Sequence, residues 1–169
     1  AYRFSWRSPG YLKEAPTLKV VLSDGTTLAP ALALAVIKAN ETISAIDEVN
    51  HTLTASGAIA SRTGITGTRG DAYLRTDAEG VIPVRVADIS SDNPAVLTVV
   101  DAPPPVEAAT GTLQWALWEV DIAAGSDVVA TAARNLQFEI TAIVEPVAGV
   151  EQTLVQQVLL HVLDGAPFS

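Results

Sequence analysis

Apolar and polar residues alternate in short runs along almost the whole chain. The clearest run is 136–144, in which apolar residues occupy the even positions while Gln137, Glu139 and Thr141 occupy the odd ones. Because successive side chains of a strand point to opposite faces, this period of two predicts a half-buried β-strand. Residues 17–22 repeat the pattern and predict a second strand of the same kind.

Turn-forming residues separate these runs at short, regular intervals, as in Asp47-Glu48-Val49-Asn50 and Asp77-Ala78-Glu79-Gly80. Many short strands at roughly 8–12-residue spacing are typical of antiparallel sandwiches and barrels. We therefore predict an all-β fold, an antiparallel β-sandwich or barrel of about nine or ten strands. The predicted strands cover residues 17–22, 31–37, 43–46, 51–55, 73–76, 81–89, 95–100, 113–120, 136–144 and 153–163.

Two of these runs are less simple than the others. Residues 31–37 favour a strand, although their alanines and the spacing of Leu32 and Val36 also fit a helix. Residues 113–120 carry apolar side chains on both faces, which predicts a strand buried on both sides at the centre of its sheet.

At most one short helix is expected, beginning at Ser126 and ending near Arg134. Ser126 can cap its first turn, and the acid Asp127 and the base Arg134 lie at the ends that the helix dipole prefers. Pro83 lies inside a predicted strand, and it indicates a sheet edge or a bulge because proline cannot donate a backbone hydrogen bond.

The chain divides by composition into four parts. Residues 1–16, called the arm below, carry aromatic residues around Ser8-Pro9-Gly10 and are expected to extend away from the β body. Residues 17–102 form a first β subdomain, the proline-rich residues 103–111 a linker, and residues 112–169 a second β subdomain that packs with the first as one unit.

Apolar residues make up 49% of the 169 residues and charged residues 17%, less than the roughly one quarter that is usual. This imbalance predicts exposed apolar surface that another chain covers. No window reaches the 18 or so apolar residues that a membrane-spanning helix needs, so we expect no membrane partner.

The net charge of −9 is unevenly distributed. Residues 1–19 hold four basic residues against Glu14, whereas residues 101–169 hold nine acidic residues against Arg134. Either the basic arm of one subunit lies on the acidic body of another, or the two ends are ordinary solvated surfaces. So few cations on an acidic chain predict no nucleic-acid binding.

The chain offers little for catalysis: it has no Cys, and its two histidines, His51 and His161, are far apart in sequence. The ligand spacings of zinc and calcium sites and the Gly-x-Ser-x-Gly nucleophile motif are missing. We therefore predict no catalytic, cofactor or metal site and a chain that is not an enzyme. A hydrolase whose carboxylates converge from separate loops stays open.

Residues 57–71 form a long glycine-rich segment that breaks the strand pattern, and such loops are often functional. The tripeptide Arg69-Gly70-Asp71 matches an adhesion signal, although short motifs of this kind also arise by chance. The alternative function is thus a receptor- or glycan-binding β module that uses this loop, with Arg62 and Arg69 as contact residues.

Several segments together suggest a family: Tyr2-Arg3-Phe4-Ser5-Trp6-Arg7-Ser8-Pro9-Gly10 leading into Pro16-Thr17-Leu18, Leu113-Gln114-Trp115, Arg134-Asn135-Leu136-Gln137-Phe138, and Leu160-His161-Val162-Leu163 before Pro167-Phe168. In these segments the chain resembles the small β-rich structural proteins of tailed-bacteriophage virions.

The resemblance implies a non-enzymatic virion subunit, in the neck between head and tail or decorating the capsid surface, which assembles in symmetric copies. Its partners would be copies of itself and other virion proteins, and it would be made in the host cytoplasm, since no signal peptide is visible at the start. We expect the arm to reach a neighbouring subunit and to be dispensable for folding. The expected interface residues are Arg3, Phe4, Trp6, Arg7, Tyr11, Arg62 and Arg69.

Overall fold

The computed structural model describes residues 2–22, 27–33, 35–36, 40–59, 70–76, 80–100, 110–122, 134–147 and 149–162. These residues form strands and turns and contain no α-helix. The all-β prediction is therefore confirmed for the described residues. Their strands are β1 (Tyr2–Arg7), β2 (Thr17–Leu22), β3 (Thr27–Ala33), β4 (Ala35–Val36), β5 (Glu41–Asp47), β6 (Thr52–Ala55), β7 (Asp71–Thr76), β8 (Gly80–Ile89), β9 (Val96–Val99), β10 (Gly111–Trp115), β11 (Leu117–Ile122), β12 (Arg134–Val147) and β13 (Val150–Val162).

The strands form a closed barrel and two open sheets, and all of the strand pairs are antiparallel. The barrel has the strand order β10-β5-β6-β9-β8-β7. The three-stranded sheet has the order β1-β11-β4, and the four-stranded sheet has the order β13-β12-β2-β3. Closure gives each of the six barrel strands a paired strand on both sides over part of its length, whereas the outermost described strands of the two open sheets have a paired strand on one side.

Apolar side chains fill the barrel interior, as the alternating pattern predicts. In β7, for example, Ala72 and Leu74 are buried in this core, and Val84 and Val86 of β8 join them. Trp115 is the largest residue of the core and is almost fully buried. The barrel is thus a packed hydrophobic core.

The two open sheets contact each other through aromatic and polar side chains. Phe4 of β1 packs edge-on against Phe138 of β12, with ring centroids 5.1 Å apart. Trp6 Nε1 donates a hydrogen bond of 2.9 Å to Gln156 Oε1 of β13. These contacts link the three-stranded sheet to the four-stranded sheet.

The strand count differs from the prediction: the described residues contain thirteen strands rather than nine or ten. One cause is the run 113–120, which is split at Ala116 into β10 of the barrel and β11 of the three-stranded sheet. Ala116 O accepts from Ser8 N at 2.8 Å, and Ala116 N donates to Asp71 O at 2.9 Å. This segment therefore serves two sheets in succession. The prediction of a single strand is wrong, whereas the predicted central position holds for both halves, because β10 and β11 each have a paired strand on both sides.

The run 31–37 is also divided, between β3 and β4, and the strand interpretation is correct where the structure describes it. The hairpin β5–β6 has the predicted polar turn, and β7 pairs with β8 as predicted, whereas residues 77–79 of the second predicted turn lie outside the described residues. Pro83 lies opposite Tyr73 of β7, and the pairing of β8 with β9 begins only at Val86. Pro83 thus lies where β8 has β7 as its one paired neighbour, in agreement with the expected edge position.

The predicted extended arm is not observed, because its first residues form strand β1. Residues 2–7 pair with β11 in continuous register, from Tyr2 opposite Ile122 to Arg7 opposite Leu117. Phe4 and Trp6 are buried, whereas the alternating residues Ser5 and Arg7 are exposed. This alternation over four residues is typical of a strand, and it corrects the prediction that the aromatic residues of this segment contact a neighbouring subunit.

Strand pairing crosses the boundary drawn between the two predicted subdomains. β2 pairs with β12, and β10 completes the barrel between β5 and β7. Most of the predicted linker, and residues 126–133 of the predicted helix, lie outside the described residues, whereas Arg134 begins β12.

Candidate interaction surfaces

The three aromatic residues predicted to anchor a neighbour are buried within the chain itself. Phe4, Trp6 and Tyr11 are 7%, 6% and 7% exposed. Phe4 packs on Phe138, Trp6 bonds Gln156, and the Arg75 guanidinium lies 5.5 Å from the centroid of the Tyr11 ring. In this fold these side chains stabilise the chain's own sheets and are not displayed to a partner.

The four predicted arginines have different positions. Arg3 lies in β1 at the register position opposite Asp121. Arg7 ends β1, and its side chain is about half exposed. Arg62 and Arg69 lie outside the described residues, together with most of the glycine-rich loop 57–71.

Asp71, where that loop ends and β7 begins, is a buried carboxylate between two arginines. Arg7 Nη2 lies 2.6 Å from Asp71 Oδ2, and Arg85 Nε donates to Asp71 Oδ1 at 3.0 Å. Asp71 and Arg85 are direct cross-strand partners in the β7–β8 hairpin. The aspartate of an adhesion tripeptide must be exposed on a loop tip to reach a receptor. Asp71 is instead buried and paired with two arginines.

A pocket of about 190 Å³ opens beside this ion cluster. Tyr73 and Pro83, another cross-strand pair, line it together with Arg7, Asp71 and Arg85. Tyr73 is held in place because its hydroxyl donates to Ser8 O at 2.7 Å. Burial raises the pKa of the Tyr73 phenol, with Arg7 acting in the opposite direction and Asp71 in the same one.

A second ion pair joins the barrel to the long β12–β13 hairpin. Arg75 Nη2 donates to Glu145 Oε1 at 2.9 Å, and the same oxygen accepts from Gly149 N at 2.8 Å in the turn that follows. Glu145 is buried, so removing Arg75 would leave an uncompensated buried charge. The arrangement fixes the hairpin on the barrel and has the character of a structural contact.

Gln114 makes a similar structural contact in the middle of the molecule. Its side chain is buried, its Oε1 accepts from Leu12 N at 2.7 Å, and its Nε2 donates to Leu12 O at 3.0 Å. Both ends of the amide thus satisfy the backbone of Leu12, which is itself almost fully buried.

Strand β13 forms an exposed edge of the four-stranded sheet. It pairs with β12 over nearly its whole length of 13 residues, and within the described residues no strand pairs with its other side. Val150 and Val155 are 50% and 53% exposed. Natural edge strands are usually short, or carry lysine or proline that prevents further pairing. β13 has neither residue, and Glu151 is its one Asp, Glu, Lys or Arg.

Glu151 is itself partnered, since Lys13 Nζ forms an ion pair with Glu151 Oε1. This hydrogen bond and the charge of Glu151 raise the pKa of Lys13. The edge of β13 is therefore nearly neutral on a chain of net charge −9.

Sequence reasoning missed both surfaces. The low charge and missing prolines of residues 150–162 were visible, but an edge position follows only from the order of strands in the sheet. For Asp71, the tripeptide motif predicts a contact made by the loop, whereas its observed partners Arg7 and Arg85 lie on two other strands.

Within the described ranges, no three His, Cys, Asp or Glu side chains are grouped closely enough to hold a metal ion. The same part of the chain contains no helix with the length and hydropathy of a membrane span. No protein-family model matches the chain, and neither a curated protein nor a solved structure is detectably similar to it.

Proposed function

We propose that the chain is a non-enzymatic structural subunit of a bacteriophage virion, in the neck or on the capsid surface, and that its copies assemble through strand β13. The observation that carries the assembly proposal is the long, exposed and nearly uncharged edge of this strand. Within the described residues no strand pairs with the outer N–H and C=O groups of β13, and such groups form a template to which another strand can add.

Charge favours contact at this edge. Copies with a net charge of −9 repel each other over most of their surfaces. Along β13, Glu151 is already neutralised by Lys13, so two copies can approach there without placing like charges in contact. The exposed Val150 and Val155 add apolar area that pairing would remove from water.

The assembly surface proposed here differs from the one expected from sequence. Phe4, Trp6 and Tyr11 are buried, so we propose β13, in place of the aromatic residues of the arm, as the surface through which two copies make contact. The virion assignment rests on the sequence resemblance and on the missing catalytic motifs.

Light scattering over a range of protein concentrations, with one substitution and a matched control, tests the proposal. We expect the wild-type chain to form an oligomer of fixed size and Val155→Lys to be monomeric, because a lysine on an edge strand opposes further pairing. Val49→Lys adds the same charge at a residue that is 87% exposed in the β5–β6 turn, and it should leave the oligomer unchanged. A wild-type monomer at every concentration, or a Val155→Lys oligomer equal to the wild type, would contradict assembly through β13.

The virion assignment has its own test. Intact particles purified from infected host cells should contain the chain in a fixed copy number, measured by quantitative mass spectrometry. Its consistent absence from particles would remove the virion part of the proposal and leave the assembly part standing.

A further inference from the structure

We propose that the pocket beside Asp71 binds an acidic sugar residue, that is, a hexose ring bearing a carboxylate. The proposal goes beyond assembly and gives a ligand class to the alternative binding function. It rests on three groups that line one pocket: a pair of arginines, a buried carboxylate, and a tyrosine next to a proline.

The arginines supply the recognition of a carboxylate. Arg7 and Arg85 place two guanidinium groups beside the carboxylate of Asp71, one at each of its oxygens. Arg7 contacts Asp71 through one nitrogen, Nη2, and about half of its side chain is exposed. A guanidinium has five N–H donors in a planar fork that matches a carboxylate.

Asp71 and Tyr73 supply the recognition of a sugar ring. Asp71 Oδ1 accepts from Arg85 and Oδ2 forms an ion pair with Arg7, and a carboxylate oxygen has a further lone pair that can accept from a hydroxyl group. The Tyr73 ring and Pro83 form an apolar wall, against which the C–H face of a hexose can pack. An Asp or Glu side chain of a protein partner would supply a carboxylate for the arginines. It has no hydroxyl groups for Asp71 and no ring for the apolar wall, so it matches the pocket less completely.

Size and rigidity agree with this ligand. Drug-sized ligands occupy pockets of roughly 300–1,000 Å³, so a pocket of about 190 Å³ fits one monosaccharide unit. The site is held before binding by the Asp71–Arg85 cross-strand pair and by the hydrogen bond from Tyr73 to Ser8 O. Little ordering is then required when the ligand binds.

The test is an NMR titration of the full chain with D-glucuronate, D-glucose and acetate as probes. We expect saturable shifts at the backbone amides of Arg7, Tyr73 and Arg85 with glucuronate, at a dissociation constant on the order of millimolar for so small a ligand. Glucose lacks the carboxylate and acetate lacks the ring, so both should bind at least about tenfold more weakly.

The matched variants are Arg7→Gln and Lys19→Gln, each of which removes one positive charge. Arg7→Gln should weaken glucuronate binding about tenfold or more, because charge-assisted hydrogen bonds to the ligand are lost, whereas Lys19→Gln, at an exposed residue of β2, should bind like the wild type. If both variants weaken glucuronate binding equally, the cause is the overall charge of the protein and the proposed site is overturned.

The wild-type titration decides the proposal even if Arg7→Gln fails to fold. Absence of saturable glucuronate shifts, or shifts away from the pocket, would overturn it. Glucose binding as tightly as glucuronate would overturn the role of the arginines. Acetate binding as tightly as glucuronate would overturn the sugar and leave a simple carboxylate site.

Discussion

The ring of Phe4 meets the ring of Phe138 edge-on, with centroids 5.1 Å apart and planes inclined at 77°. The two residues come from opposite ends of the chain, one from β1 and one from β12. The contact makes the start of the chain part of the core between the two open sheets, and so it changes the expectation that residues 1–16 are dispensable for folding.

Phe4→Ala should lower the free energy of unfolding by about 3–5 kcal/mol, the usual cost of truncating a buried phenylalanine. Val49→Ala, at a highly exposed valine, is the control and should change stability by less than about 0.5 kcal/mol. Denaturant unfolding measures both. Deletion of residues 1–16 should be still more damaging, and a truncated chain that unfolds at the wild-type midpoint would restore the view of a free arm.

Gln114→Leu should destabilise the fold because it leaves the N–H and the C=O of Leu12 buried and without partners. Each unsatisfied group costs about 1–3 kcal/mol. Hydrogen exchange provides a local measurement: the Leu12 amide should exchange much faster, while the amide of Leu53 in the barrel stays protected relative to global unfolding. Unchanged exchange at Leu12 would show that Gln114 does not hold this backbone.

Gly111→Ala should disturb barrel closure, because a Cβ at Gly111 would lie 2.6 Å from the backbone oxygen of Arg75. Arg75 is in β7, and β10 is the strand that pairs with both β7 and β5, so the backbone must shift where the barrel closes. Gly57→Ala is the matched control, since a Cβ there would meet nothing within 4 Å. Thermal unfolding should separate the two variants, and equal melting temperatures would contradict the clash.

Glu41→Gln should stabilise the chain at neutral pH. Burial raises the pKa of Glu41 above its ordinary value of 4.5, so its contribution to stability is present below that value and is lost as the pH rises. The neutral amide removes this cost. The difference in stability between variant and wild type should therefore shrink as the pH is lowered towards 4, and a constant difference would exclude titration as its cause.

Tyr73→Phe should alter the alkaline limit of stability. Burial raises the pKa of the Tyr73 phenol above 10.0, so the neutral phenol stabilises the fold below about pH 10, and this contribution is lost as the pH rises through the folded-state pKa. The variant loses the hydrogen bond to Ser8 O and is expected to be less stable at pH 7 by about 1 kcal/mol. The difference in free energy of unfolding between the wild type and the variant should become smaller at higher pH, as measured by denaturant titrations. A difference that grows at higher pH would contradict a raised pKa of Tyr73.

Local pattern was sufficient to predict the long strands and hairpins. The alternation of residues 136–144 and the polar turn from Asp47 to Asn50 depend on neighbours in the sequence, and both occur where expected. The break at Ala116 could not be predicted in this way. It is set by hydrogen bonds to Ser8 and Asp71, which come from two distant segments.

The candidate site was less accessible to sequence reasoning for the same reason. Arg7 is one of the predicted interface residues, but the sequence does not show that its side chain forms an ion pair with Asp71. The position of Arg85 opposite Asp71 follows only from the register of the β7–β8 hairpin. Charge clusters built across strands require the pairing of those strands to be known.

The contact between Leu12 and Gln114 also constrains how the chain can be made. The two residues are 102 positions apart, so during synthesis the start of the chain leaves the ribosome long before its partner strand exists. Translation proceeds at about 5–20 residues per second, so the apolar faces of β1 and β2 are exposed to water for seconds before the later strands are synthesised. A chaperone that holds this N-terminal segment during translation would therefore raise the yield of folded protein.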